Sequence, residues 1–288
     1  MMTDVDVDSQ VWLNGEFVRL GDAKVSVLDR GFIFGDGIYE VVPVYGGKPF
    51  RMQEHVARLQ RSLAELRIDT GRTAEDWQAL FLEVLQRCGQ SDCILYLQVT
   101  RGVAKRDHRF PTQAQPTIFC MVSPRTSPSA QAREQGLSAI AMPDLRWLRC
   151  HIKSVSLLGN VLAKQHAVDS GVDEVIQFRD DVLTEGASCN IWVARNGELL
   201  APRRDHLILE GIRYGLLEEL AQKAGITLRE CVVTRHDVDN ADEIMLSSAT
   251  TEILPITRFE GRPVGKNGQP GPVYQALRAS YDAVLAAL

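Results

Sequence analysis

The stretch 123–129 (SPRTSPS) constrains this chain most. Rich in Pro, Ser and Thr and without apolar periodicity, it suits neither a buried strand nor an amphipathic helix, and it reads as a linker. With 288 residues the chain has room for two ordinary domains, one on each side. Before the linker, Val11–Leu13 and Glu16–Val18 flank Asn14-Gly15, a two-residue hairpin signal. Ile38–Tyr45 and Pro49–Met52 flank Gly46-Gly47, a second one. Val56, Leu59, Leu63 and Leu66 have helical spacing, as do Trp77, Leu80, Phe81, Val84 and Leu85. Runs 93–100 (CILYLQVT) and 117–122 (TIFCMV) read as buried strands.

Beyond the linker the pattern repeats in kind, without an internal repeat. Strands are expected at Ser138–Met142, Glu174–Phe178, Asn190–Ala194, Glu198–Leu200 and Glu243–Leu246, with Asn196-Gly197 as a turn. Helices are expected from about Leu157 to Val168, after Gly211, and from about Val273 to Leu288. The expected fold class is α+β in two domains: a small α/β domain (1–122), the linker (123–129) and a large domain (130–288).

Composition narrows the function classes. A net charge of −5 offers no general attraction to nucleic acid. No apolar run approaches the roughly 18 residues of a membrane span. The N-terminal MMTDVDVDSQ is acidic and polar, unlike a signal peptide. Cysteines 88, 93, 120, 150, 189 and 231 form no CxxC pair, so they read as free thiols rather than metal ligands. The expected setting is a reducing, cytoplasmic one. Generic motifs add little: there is no phosphate loop and no nucleophile elbow, and Gly35-Asp-Gly37 lacks the third glycine of a dinucleotide site.

Four stretches taken together say more: 29–40 (DRGFIFGDGIYE), 55–59 (HVARL), 149–154 (RCHIKS) and 183–190 (LTEGASCN). In this order and spacing they resemble the fold-type IV pyridoxal-phosphate enzymes, over about residues 11 to 280. The resemblance implies the two-domain architecture of the D-amino-acid aminotransferases and pyridoxal 5'-phosphate as cofactor. It makes Lys153, within the large domain, the amine that holds the cofactor as a Schiff base and moves the Cα proton. Glu185 is then the carboxylate that keeps the cofactor ring nitrogen protonated, with Asn190 orienting the site. Arg58 becomes the phosphate arginine. Ile212 and Arg213, opening a helix after Gly211, match the family's first phosphate segment through their amides. The segment 247–253 (SSATTEI) matches the second, with contacts from Ala249 and Thr250. Two departures stand out: Arg213 and Ala249 occupy positions where relatives often carry threonine.

After strand 93–100 the chain reads RGVAKRDHRFP (101–111). Arg106 and His108 match the Arg-x-His with which D-amino-acid aminotransferases, helped by a tyrosine matching Tyr39, clamp the substrate α-carboxylate. In an extended segment residues i and i+2 share a face, which would aim Arg106 and His108 together and turn Asp107 away. The activity implied is ping-pong transamination of D-amino acids, of the D-alanine type, with 2-oxoglutarate, giving a 2-oxo acid and D-glutamate. A branched-chain L-amino-acid aminotransferase, an aminodeoxychorismate lyase and an (R)-amine transaminase share the implied fold and remain open at this point. The resemblance also implies a homodimer.

Overall fold

Asn14 and Gly15 both take positive φ, 51° and 104°, the twist that a two-residue hairpin turn requires. They join β1 (Gln10–Leu13) to β2 (Glu16–Arg19). The computed structural model describes residues 5–288; the first four residues of the acidic N-terminal stretch lie outside the described residues. A short helix absent from the sequence expectation follows, α1 (Arg30–Phe34). Asp29 caps it by accepting from the Gly31 N–H, and Gly35 ends it in the left-handed conformation at φ 65°.

β3 (Gly37–Tyr45) turns through Gly46-Gly47 into β4 (Lys48–Pro49). The second strand stops short of the expected Met52. Arg51 adopts φ 52° and becomes the N-cap of α2 (Met52–Leu66), so the chain leaves the sheet there. A capping box between Thr73 and Asp76 starts α3 (Ala74–Cys88). Then come β5 (Cys93–Thr100) and β6 (Thr117–Pro124). These strands form an antiparallel sheet in the order β2-β1-β6-β5-β3-β4. Val56, Leu59 and Leu63 of α2 and Trp77, Phe81 and Val84 of α3 pack with Leu95, Leu97 and Val99 of β5 to form its core.

Contacts divide the chain into two compact units. The first comprises the described residues up to Arg125 together with Ile152–Ser156. This returning segment lies along β3: Ile38 pairs with Ser154, the Tyr39 N–H donates to the Lys153 carbonyl at 3.0 Å, and the Val155 N–H donates to the Gly37 carbonyl at 3.0 Å. Lys153, which the sequence reading groups with the larger domain, therefore has its backbone held by the first unit's sheet.

The second unit comprises residues 126–151 and 157–288. Its elements in chain order begin with α4 (Ala130–Gln135), β7 (Leu137–Pro143), α5 (Leu158–Asp169) and β8 (Glu174–Arg179). Next are β9 (Val182–Gly186), β10 (Asn190–Arg195), β11 (Glu198–Pro202), α6 (Ile212–Lys223) and β12 (Thr227–Cys231). The chain ends with α7 (Arg235–Asp239), β13 (Glu243–Ser248), β14 (Glu252–Phe259), β15 (Arg262–Pro263) and α8 (Pro272–Ala286). The sheet order is β12-β11-β10-β13-β14-β7-β8-β9, with β15 paired to β14. Of the three parallel pairs among the described residues, β7 with β8 and β11 with β12 are each joined through a helix, while β14 pairs with β7 across a long stretch of chain.

Strands β9, β12, β14 and β15 and helices α4 and α7 were not expected from the sequence. β9 is the consequential one, because Asp180 and Asp181, both at positive φ, make a tight turn that returns the chain into a buried strand carrying Glu185.

Candidate active site

Strand β3 sends Tyr39 and Glu40 to opposite faces, as successive strand residues must. On one face the Lys153 amine lies 4.0 Å from the centroid of the Tyr39 ring, which in turn lies 5.9 Å from the Tyr96 ring. Lys153 is half-buried, and among the described residues no hydrogen bond or ion pair engages its Nζ. An amine in this setting has an aromatic face to lie on and no acid to neutralise it.

On the other face Glu40 is fully buried. Its carboxylate accepts from Arg58 Nε at 2.8 Å and Nη2 at 2.9 Å, and it meets His55 Nδ1 at 2.8 Å. Burial alone would push this carboxyl up. The Arg58 guanidinium and the hydrogen bonds from Arg58 and His55 outweigh it and hold Glu40 well below the usual carboxylate range. The two-point grip fixes the plane of the Arg58 fork.

Arg106 and His108 are exposed, on the segment after β5. They meet on one ring: His108 lies 5.3 Å from Phe34, centroid to centroid, and the Arg106 guanidinium lies 5.5 Å from the same centroid. Asp107 turns instead to Arg109, whose Nη2 it accepts at 3.0 Å. Among the described residues no hydrogen bond or ring contact joins Tyr39 to Arg106 or His108.

In the second unit Glu185 is buried on β9. It accepts from the Leu209 N–H at 2.7 Å and from Asn190 Nδ2 at 3.3 Å. Arg146 Nη1 also donates to it, and the same guanidinium donates to Asp144 through Nε at 3.0 Å and Nη2 at 2.9 Å. Burial pushes the Glu185 carboxyl up, against the pull of Arg146 and the Leu209 amide. Asp144 is held below its usual value: burial is overcome by Arg146, with a further hydrogen bond from Thr184. Sequence reasoning missed Arg146 and Asp144. The available signal was chemical: a carboxylate buried to serve a ring nitrogen needs a cation or donors behind it.

Helix α6 begins after Gly211, a cap with no side chain to satisfy the first-turn N–H groups of Ile212 and Arg213. A Cβ at Gly211 would lie 2.2 Å from Asn190 Oδ1, so only glycine lets Asn190 lie against this cap. The Arg213 side chain is buried; it packs over the Tyr281 ring at 5.4 Å and donates from Nη2 to the Ala249 carbonyl at 3.3 Å. It thus joins α6 to the 249–251 turn, a tie that a threonine could not make. In that turn Ser248 Oγ accepts from the Thr250 N–H at 3.3 Å and the Thr251 N–H at 3.1 Å, and Thr250 is exposed.

The first unit therefore gathers Tyr39 with Lys153, and Arg106 with His108. The second gathers Glu185 with Asn190, and Arg213 with Ala249. Residues 37–259 match the family described as Amino-transferase class IV. A D-alanine aminotransferase of Staphylococcus haemolyticus is 38% identical over 275 residues, covering 95% of this chain and 97% of that protein. Another from Bacillus licheniformis is 38% identical over 271 residues, covering 94% and 95%. Among solved structures, the Escherichia coli branched-chain amino acid aminotransferase has a TM-score of 0.91 at 25% identity, covering 96% of this chain and 95% of that one. A putative 4-amino-4-deoxychorismate lyase from Legionella pneumophila has a TM-score of 0.80 at 21% identity, a likeness of fold alone. With a family match across most of its length and relatives of this identity over nearly all of it, the chain belongs to the class IV aminotransferases.

Proposed function

We propose that this protein is a pyridoxal-phosphate-dependent transaminase of D-amino acids, of the D-alanine type, with 2-oxoglutarate as acceptor. The observation that carries the chemistry is the Lys153 amine, 4.0 Å from the Tyr39 ring and unengaged by any acid among the described residues. The donor set fits the cofactor: an available amine, a buried carboxylate supported from behind, and first-turn helix amides suited to a phosphate. When bound, pyridoxal phosphate supplies an electrophilic aldehyde and a sink for the electrons of a Cα–H bond.

The residues divide that work. Lys153 Nζ would hold the cofactor, carry the proton from the Cα of the amino donor to the cofactor's aldehyde carbon, and carry one the opposite way for the acceptor. Glu185, its ionised form supported by Arg146 and the Leu209 N–H against the push of burial, would hold the proton at the ring nitrogen by its negative charge. Arg58, the amides of Ile212, Arg213 and Ala249, and the exposed Thr250 hydroxyl would bind the phosphate. Tyr39, Arg106 and His108 bind the substrate carboxylate, with the planar arginine fork as its main ligand.

The D-preference is supported by the Arg106–His108 pairing and by relatives named D-alanine aminotransferase. Likeness to branched-chain aminotransferases rests on fold, which serves either enantiomer. The apolar side chains of Phe32 on α1 and of Leu158, Val161 and Leu162 on α5 are 59–76% exposed, and they suit the interface of a homodimer. All six cysteines are free, in keeping with a reducing cytoplasm.

The test is the visible spectrum of the purified, loaded protein. A yellow band that bleaches with D-alanine in the absence of acceptor, and persists with L-leucine, is expected. Bleaching by L-leucine alone would overturn the D-preference, and a protein that stays colourless with pyridoxal phosphate would overturn the cofactor.

A further inference from the structure

The motif at 29–36 contributes none of the residues assigned above, yet it is built around one carboxylate. Asp36 Oδ2 accepts from Arg30 Nε at 2.7 Å and from Arg101 Nε at 2.8 Å, and Oδ1 accepts from Arg101 Nη2 at 3.0 Å. Both arginines are buried, at 3% and 7% exposure. Burial would push Asp36 up, and the two guanidiniums hold it below its usual value instead.

Each arginine then reaches the segment that carries Arg106 and His108. Arg30 Nη1 donates to the Asp107 carbonyl at 2.5 Å, between the two residues, and its guanidinium sits 4.8 Å from the Phe34 ring on which both of them rest. Arg101 lies 3.7 Å from the Phe110 ring at the far end of the segment, and it donates to the Leu66 and Arg67 carbonyls at the end of α2. The backbones are joined as well: the Arg30 N–H donates to Gly102 O at 2.9 Å, the Arg101 N–H donates to Asp36 O at 3.0 Å, and Asp29 pairs with Val103.

We propose that Asp36, acting through Arg30, Arg101 and the Phe34 ring, is the positioning residue for the Arg106–His108 pair and so sets affinity for the substrate carboxylate; this rests on reading that pair as the carboxylate's ligands. The physical reason is entropic and electrostatic. Two exposed side chains, next to Lys105 and Arg109, must give up rotamer freedom and approach each other in order to grip one anion. Holding the backbone between them and giving both one ring to lie on meets part of that cost before substrate arrives. Asp36 is not a catalytic residue in this arrangement. Its effect belongs in binding.

Three variants of the loaded enzyme test the proposal: Asp36→Asn, Phe34→Leu and, as reference, Arg106→Ala. For each, KM and kcat with D-alanine and with 2-oxoglutarate are measured beside pyridoxal phosphate affinity and melting temperature. Asp36→Asn and Phe34→Leu are expected to raise both KM values about tenfold, the scale of one lost charge-assisted contact, with kcat within about twofold and cofactor affinity unchanged. A purely structural role would lower melting temperature and kcat while leaving KM in place, and that result would overturn the proposal. So would unchanged KM in Phe34→Leu, a half-buried and conservative change that tests the idea even if Asp36→Asn does not fold. If Arg106→Ala itself leaves KM unchanged, the carboxylate reading fails first and the proposal falls with it. A raised KM in Arg106→Ala alone would overturn only the role of Asp36.

Discussion

Arg146 joins Glu185 to Asp144, giving Nη1 to the first carboxylate and both Nε and Nη2 to the second. Side-chain exposure of Arg146 and Glu185 is 7% and 8%, so the cation cannot be replaced cheaply by water. Arg146→Met leaves two buried carboxylates without their shared partner. Stability should fall by roughly 3–5 kcal/mol in urea unfolding. In the proposed function Glu185 is ionised to hold a proton at the ring nitrogen, and without Arg146 burial raises its carboxyl further. The acid limb of the kcat profile should therefore move to higher pH.

Stability should fall in acid with a sign fixed by three depressed carboxyls. Asp36, Glu40 and Asp144 are each held below the ordinary range by arginines that outweigh burial. The unfolded chain then binds protons at a pH where the native chain does not. Their stabilisation is complete above about pH 5 and is lost as pH falls through their lower native values. Glu185, with a raised carboxyl, has the opposite sign and weakens the fold as pH rises through its native value. Urea unfolding from neutral pH to about pH 3 should show the fall, and Glu40→Gln should lower neutral stability and flatten the acid slope.

Arg58→Lys should weaken cofactor binding in a phosphate-dependent way. Lysine keeps the charge but loses the two-point grip that Glu40 exerts on the guanidinium. Pyridoxal phosphate affinity should drop about tenfold or more, whereas pyridoxal, which lacks the phosphate, should bind as it does to the parent protein. An equal loss for both ligands would show that Arg58 acts on the fold and not on the phosphate.

Gly211→Ala should be costly despite an ordinary backbone conformation, φ −67°. The added methyl meets Asn190 Oδ1 at 2.2 Å, and Asn190 is the residue that donates to Glu185 and to the Leu209 carbonyl. A destabilisation of about 1–3 kcal/mol is expected from overpacking, together with weaker pyridoxal phosphate binding. Asn190→Ala in the same background should recover part of the stability, which thermal unfolding of the double variant would reveal.

Lys153→Ala should abolish the yellow band formed with pyridoxal phosphate and reduce transamination by about a thousandfold or more, since the proposed function puts holding the cofactor and moving the proton on one amine. Retained turnover in stopped assays with D-alanine would assign the chemistry elsewhere.

Local elements were legible where a local cause sets them. Asn14-Gly15 and Asn196-Gly197 turn because their backbones take positive φ, and run 93–100 matches β5 residue for residue. The periodic apolar residues of α2 and α3 are the ones in the core. What stayed hidden depends on tertiary pairing. β9 has a mixed composition and becomes a strand because β8 is there to pair with it. β4 ends early because Arg51 starts a helix. At the site, it was the family resemblance of the four ordered stretches and of Arg-x-His after β5 that pointed to Lys153, Glu185, Arg58, Arg106 and His108. No role was attached to Arg146, or to Glu40 and Asp36 within the 29–40 stretch. They act on other side chains, and a partner brought from far along the chain is invisible until the fold exists.

The segment Ile152–Ser156 returns to lie along β3, where the Tyr39 N–H meets the Lys153 carbonyl. Closing so long a loop is slow relative to forming hairpins and helices, so this pairing belongs to the late stages of folding. Colour in the loaded protein would then be a maturation signal. A chain that has formed its strands and helices but has not yet brought residue 153 home to β3 would carry the proposed cofactor amine in its sequence and remain chemically silent.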